Sequence, residues 1–544
     1  MNRVVSKFLH CAVRSSSGKW RFALASAVLL IATILPIRGQ DAPSSQPDDA
    51  RDYAARGISL AKEGNLAQAQ LELEQAVKIA PAVALYRAQL ASIQGLQGNW
   101  HAALEGFQKA IELAPDNLDF RREGAAVQWQ LGMLPAAEQN LQFVLARLPQ
   151  DPGTTLLLGL VKEKAGDYSK AAELLDSQFA LVSSQADRVA AMFHAVVESH
   201  ESAKIPKILD VLTQHAADPR WMNAIGHCTI IAAAAGELQT SETLFSLIPK
   251  DDPAYVPAAT SMARLFYDHG RVPEARELLV ELQSKGVVNA DLQALLGNCY
   301  ESERQPTLAL QAYHRAIEAD SNRIDYYEDL ISLLLYLHKT DDALVEANRS
   351  TGIAPNDARA WVWKGNVELR RNSAKDALES YQRAAKLDSS NADAAIGIAT
   401  IYFVTGQSDR AIAEYKAGIA RFPGDARFYI ACAEMLVASP DPVRVQADAE
   451  SLLRKAIEIA PQSAEAHYLL GQLALQTNHL PEALEQLTQS VQSDPDRSKP
   501  HFALSGVYRR MGRPDAAARE FALYEKLKQY EENATPSAMG LRTP

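Results

Sequence analysis

The chain has 544 residues, with 55 Lys and Arg against 66 Asp and Glu for a formal net charge of −11; 47% of its residues are hydrophobic and 22% charged. That much apolar surface excludes a generally disordered chain, and the acidic balance argues against attraction to nucleic acid or an anionic membrane surface, which depends on clustered Lys and Arg. Four cysteines, Cys11, Cys228, Cys299 and Cys432, encode no disulfide framework.

Residues 1–40 carry Arg3, Lys7, Arg14, Lys19, Arg21 and Arg38 and no acidic residue, and an apolar run extends from Phe22 to Ile37. This is the layout of a Sec-type signal peptide. The run contains Pro36 and is short for a spanning helix, which needs roughly 20 residues; an uncleaved anchor through residues 22–37 is the alternative. No Cys follows it closely and no Arg–Arg pair precedes it, which argues against the lipoprotein and twin-arginine routes. Without the six basic residues of this leader, the net charge of residues 41–544 is −17 rather than −11. The expectation is an exported, acidic protein, periplasmic or extracellular. Residues 41–49, rich in Pro, Ser, Gln and Asp, are predicted to be a flexible spacer.

From residue 50 to 531 one pattern recurs every 34 residues. Ala69, Ala103, Ala137, Ala171, Ala275, Ala309, Ala343, Ala377, Ala411, Ala449, Ala483 and Ala517 mark its twentieth position. Fourteen units begin at 50, 84, 118, 152, 186, 222, 256, 290, 324, 358, 392, 426, 464 and 498; the fifth is two residues longer and the twelfth four. In the unit that starts at Ala358, residues Trp361, Gly365, Ala377, Tyr381 and Ala384 have the spacings of helical faces, so two amphipathic helices joined by a turn are predicted. The eighth position is small, as in Gly57, Ala91, Gly159, Gly297 and Gly471, and lets helix backbones approach. The twenty-fourth is bulky, as in Leu73, Phe107, Leu141, Tyr313 and Tyr381. Gly64, Gly98, Gly132, Gly166, Gly236, Gly270, Gly406 and Gly512 fall at position fifteen, where a helix ends in positive φ. Pro81, Pro115, Pro149, Pro253, Pro355, Pro423, Pro461 and Pro495 stop the second helix near position thirty-two.

These residues resemble the tetratricopeptide repeat, a helix–turn–helix of 34 residues with small, aromatic and proline positions in this register. The resemblance covers roughly nine-tenths of the chain and implies an all-α, right-handed superhelical solenoid of about 14 units over residues 50–531. Departures are local. Phe193 and Ile205 occupy normally small positions in the fifth unit, Ile331 does so in the ninth, and Ser241 replaces alanine in the sixth. A degenerate, poorly stacked unit is therefore expected at 186–221, and a lengthened one at 426–463.

No chemistry-bearing constellation interrupts the repeats. The twelve histidines form no His-x-x-x-His pair, no Cys-x-x-Cys occurs, and Gly-x-Gly-x-x-Gly, Gly-x-x-x-x-Gly-Lys and Gly-x-Ser-x-Gly are missing. Asp251 with Asp252, and Asp341 with Asp342, fall in or near turns, where carboxylates act as caps. No catalytic residue, cofactor or metal is expected, and the repeat cysteines read as small buried hydrophobes.

In the family's pattern, positions two, five, nine, twelve and thirteen of each first helix project into a concave groove. Here they include Arg122, Trp129, Tyr267, Asp268, Asn298, Tyr336, Asn366, Arg370, Phe403, Tyr468, Phe502, Arg509 and Arg510. Exposed aromatics and arginines dominate binding hot spots, so these are candidate contacts for a protein or peptide. The family's carboxylate clamp, a Lys at position five with an Asn at nine, is not matched: Asn298 and Asn366 share their units with Ala294 and Val362. Residues 515–532 resemble a polar capping helix, and residues 532–544 are expected to be a disordered tail. The favoured function is an exported, non-enzymatic scaffold. The alternatives are a membrane-held assembly or polysaccharide- or protein-export helper of the cell envelope, and an enzyme whose site the sequence does not display.

Overall fold

In the computed structural model, which describes residues 48–287, 289–437 and 442–533, the 34-residue period becomes fourteen helical hairpins, and no strand occurs among the described residues. The chain is all-α. First helices begin within two residues of the expected unit starts, from Asp48–Lys62 in hairpin 1 to Ser498–Arg510 in hairpin 14. The leader, most of the spacer and the tail beyond Asn533 lie outside the described residues. Contacts divide the chain into two units of seven hairpins each, one ending at Val288 and the other beginning at Asn289, where the sequence reading has a single run.

Within both units the same contact holds each hairpin together. The small eighth position lies against the bulky twenty-fourth: a Cβ added to Gly57 or Gly159 would come within 2.8 Å of Leu73 or Leu175 in the first unit. In the second unit, a Cβ on Gly297 would lie 2.4 Å from the Tyr313 ring. In hairpin 9, where the small residue is missing, the partner is smaller. Hairpin 9 has Ile331 at position eight and Ala347 at twenty-four, and both are buried in one core cluster, so the summed volume is kept.

Turn geometry is uniform. All thirteen described residues at position fifteen have positive φ, including His200, Arg304 and His338, at 59°, 59° and 57°. Glycine adopts this conformation without a Cβ penalty; at these three sites the tertiary fold imposes it on larger residues. A second device ties several hairpins to the one before. The fourth residue of a first helix reaches back to a carbonyl six residues earlier: Arg87 to Pro81 (2.8 Å), Arg121 to Pro115 (2.7 Å), Trp361 Nε1 to Pro355 (2.9 Å) and Tyr429 to Pro423 (3.2 Å). His467 and His501 make the same contact to Pro461 and Pro495. The proline that stops one helix therefore presents its carbonyl as the anchor of the next.

The fifth hairpin departs less than its sequence suggests. Met192, Phe193, Ala195 and Val196 of its first helix, Ala186–Glu198, are completely buried. Its second helix is the irregular part: a 3₁₀ turn at Ser202–Lys204 precedes only ten helical residues, Ile205–Gln214. In hairpin 12 the four extra residues lengthen the second helix to Pro442–Ile459.

Candidate partner-binding surface on the first helices

The surface of a first helix is shaped by what its second helix donates. In hairpins 8 and 10 the tyrosine at position twenty-four donates its hydroxyl across the hairpin to the amide at position nine, Tyr313 to Asn298 (2.6 Å) and Tyr381 to Asn366 (2.7 Å). In hairpin 11 the same positions hold Tyr415 and Thr400, 3.1 Å apart. Burial pushes the Tyr381 and Tyr415 hydroxyls up from their ordinary range, so both remain neutral donors. The amides of Asn298 and Asn366 are thus oriented by the core beneath them. At position thirteen, Lys164 and Arg510 donate to the last-turn carbonyls of Trp129 and Leu475 in the preceding first helices, at 3.0 and 2.9 Å.

At position two of the second unit runs a ladder of charge. Arg359 joins Asp325 (2.7 Å) and Asp357 (2.9 Å), and Arg427 joins Asp393 (2.5 Å) and Asp425 (2.7 Å). Arg323 meets Asp291 at 2.7 Å, and Arg497 pairs with Glu465. Hydrogen bonds to these carboxylates, Asp357 and Asp425 foremost, hold both Arg359 and Arg427 more firmly charged. Asp357 also accepts the backbone N–H of Arg359 and so caps the helix whose position-two arginine it binds. Burial raises Glu328 and Glu434, which lie nearby without such a fork.

The sequence-derived candidates take different places. In the first unit, Arg122 is paired with Asp119 (2.8 Å) and lies 3.7 Å from Asp151. Trp129 packs at the edge of a core cluster with Lys164 over its ring at 5.5 Å, and its Nε1 is buried without a partner. Tyr267 is half-buried and Asp268 pairs with Arg264. In the second unit, Asn298 is half-buried, Phe403 packs partly into a core cluster, and Tyr468 is a core residue with 8% exposure whose hydroxyl accepts from Gln472. Tyr336 is 67% exposed, and Asn366, Arg370, Arg509 and Arg510 are exposed. Phe502, at the same repeat position as Tyr468, is 53% exposed. Position five is covered by the following hairpin, as Val362 and Tyr468 are, and no described hairpin follows the fourteenth.

Four candidates fall on three successive first helices. Tyr336, Asn366, Arg370 and Phe403 lie on the consecutive first helices Asp325–Tyr336, Ala358–Arg370 and Ala392–Val404, each packed on the next. Val404, exposed beside Phe403, belongs with them and was missed because a lone valine carries no signal. The tyrosine latches were legible as a spacing of fifteen residues between Asn and Tyr, and the ladder as alternating charge at position two. Among the described residues no group of three or more His, Cys, Asp or Glu could hold a metal ion. Cys228, Cys299 and Cys432 are buried thiols, and burial pushes Cys228 and Cys432 up, away from nucleophilic character. No helix of the described residues is long and apolar enough to cross a membrane.

Two models described as tetratricopeptide repeat match this chain, one at residues 260–324 and 329–392, the other at 368–435 and 447–499. These stretches are tetratricopeptide repeats, a class that generally serves as protein-interaction scaffolds. The chain is 25% identical over 215 residues to DnaJ homolog subfamily C member 7 of Mus musculus, covering 37% of this chain and 43% of that protein. It is 30% identical over 91 residues to the Protein SGT1 homolog of Bos taurus, with 17% and 27% covered. It is 32% identical over 109 residues to serine/threonine-protein phosphatase T of Trypanosoma brucei brucei, with 20% and 23% covered. The chain spans less than half the length of each of these relatives. Among solved structures, the APC/C hetero-tetramer Cut9-Hcn1 aligns at a TM-score of 0.35 and 14% identity, over 94% of this chain and 91% of that one. Naa15/Naa10 bound to HypK-THB aligns at 0.36 and 13%, over 88% and 94%.

Proposed function

We propose that this chain is a non-enzymatic, exported scaffold that holds a protein or peptide against the first helices of its repeats, without a cofactor, and that Tyr336, Asn366, Arg370 and Phe403 form the contact in its second unit. One observation carries this reading. The Asn366 amide, its oxygen held by Tyr381, keeps its N–H donors in a set orientation one helical turn from the exposed Arg370. A donor already ordered loses little freedom when it meets a peptide carbonyl, and Tyr and Arg are the residue types that dominate hot spots. The small, bulky and turn positions of the repeats are committed to packing, which supports a role through surface rather than bond-making groups. Export rests on the leader at residues 1–40.

The test is affinity capture with the full chain and with Tyr336→Ala, Arg370→Ala and the double variant, after circular dichroism establishes equal helix content. Proteins recovered by the unaltered chain should be lost from the double variant, with affinity at least tenfold weaker, as for a hot spot worth about 2 kcal/mol. Equal recovery would remove this face from consideration. Retention of residues 22–37 on washed membranes would instead favour the envelope-assembly reading.

A further inference from the structure

Hairpin 14 differs from the rest in both burial and charge. The position-five and position-twenty-four side chains, which elsewhere receive the next hairpin, are here Phe502 and Phe521, 53% and 36% exposed. With Tyr524 they form one ring cluster: Phe502 to Tyr524 at 5.0 Å, Phe521 to Tyr524 at 5.7 Å, Phe502 to Phe521 at 6.5 Å. The capping helix Pro514–Asn533 thus presents aromatic surface where a polar face is expected.

The first helix continues this face. At 100° per residue, Lys499, Phe502, Gly506 and Arg509 fall within about 80° of one another. A Cβ at Gly506 would meet nothing within 4 Å, so a glycine with no packing reason sits mid-helix, where it costs about 1 kcal/mol relative to alanine. It leaves a smooth hollow between Phe502 and Arg509 through which another backbone can come close. Lys499, Arg509 and Arg513 are exposed; Lys499 also lies within electrostatic reach of the half-buried Glu434. Residues 498–533 hold seven Lys and Arg against five Asp and Glu, a net +2 on a chain of net −11.

We propose that this outer face of hairpin 14 is a second docking surface, separate from the face around Asn366, and that its occupant is an acidic amphipathic helix of a partner protein. The rings stand where the preceding hairpins of the second unit receive a helix, which fixes the shape of the occupant. The exposed Lys499, Arg509 and Arg513, on a segment of net positive charge, set its charge. Residues 534–544 contain Arg542 and no acidic residue, so that segment lacks the complementary charge.

The probe is a labelled synthetic amphipathic helical peptide with a Leu/Ala face and a Glu face, compared with its Lys counterpart by fluorescence anisotropy on the full chain. The acidic peptide should bind more tightly, with affinity that falls as salt rises. Lys499→Glu/Arg509→Glu and, independently, Gly506→Leu should each weaken it at least tenfold, while Arg370→Ala leaves it unchanged; Lys499, Arg509 and Arg370 are exposed and a Cβ at Gly506 meets nothing within 4 Å, and helix content checks each fold. Equal binding of the two peptides, or no effect of either set of changes, would overturn the proposal. So would preferential, charge-dependent binding to phosphatidylglycerol vesicles, which would assign the face to a membrane. A concentration-dependent dimer in sedimentation, abolished by Gly506→Leu, would assign it to a second copy and equally overturn the acidic-helix proposal.

Discussion

Glycine to alanine in the middle of a helix ordinarily stabilises by about 1 kcal/mol, because alanine loses less backbone freedom. In this protein the sign should depend on position. At Gly297 the new methyl would lie 2.4 and 2.6 Å from Cε1 and Cδ1 of Tyr313. That ring cannot easily yield: it is buried, and its hydroxyl is tied to Asn298 at 2.6 Å and Glu301 at 2.8 Å. Overpacking costs about 1–3 kcal/mol, and displacing the ring puts at risk hydrogen bonds worth about 1 kcal/mol each. Gly297→Ala should therefore destabilise by about 1–2 kcal/mol after the propensity gain. Gly506→Ala, on the open face of hairpin 14, should stabilise by about 1 kcal/mol. Urea denaturation followed by far-UV circular dichroism compares the two, read as midpoints because a repeat array need not unfold in one step. If Gly297→Ala raised the midpoint as Gly506→Ala does, the eight-to-twenty-four contact would not be the tight joint described above.

Other outcomes follow from the same structure. Arg304→Gly and His338→Gly, each relieving a side chain held at positive φ, should raise stability by about 0.5–1 kcal/mol, whereas Gly98→Ala should lower it by about 1; thermal melts check both signs. Arg359→Ala should cost less than about 1 kcal/mol despite its two carboxylate partners, since the pair is half-exposed and screened; a larger loss would make the position-two ladder a principal source of stability. Amide hydrogen exchange should find the second helix of hairpin 5, Ile205–Gln214, less protected than Ala374–Leu387, while Ala186–Glu198 stays protected. Equal protection of the two second helices would refute a weak joint there.

Periodicity alone made the architecture legible. A helix pair cannot hide its apolar faces by itself, so small, bulky, turn and proline positions must keep one register through fourteen units, and that register is visible without coordinates. Much less of the candidate surface was legible, because exposure depends on neighbours distant in the chain. Tyr468 and Phe502 share a repeat position, yet one is buried beneath the next hairpin and the other stands open. Asn366 looks like any polar helix residue until Tyr381 is seen to hold it from fifteen residues away. Likewise His200, Arg304 and His338 carry no turn signal, and only the packed hairpins on either side force their backbones into the left-handed region. Local pattern thus determined which residues form helices and where they stop; burial, orientation of amides and the charge ladder were decided by the stacking of one hairpin on another, since those energies arise between units and not within them.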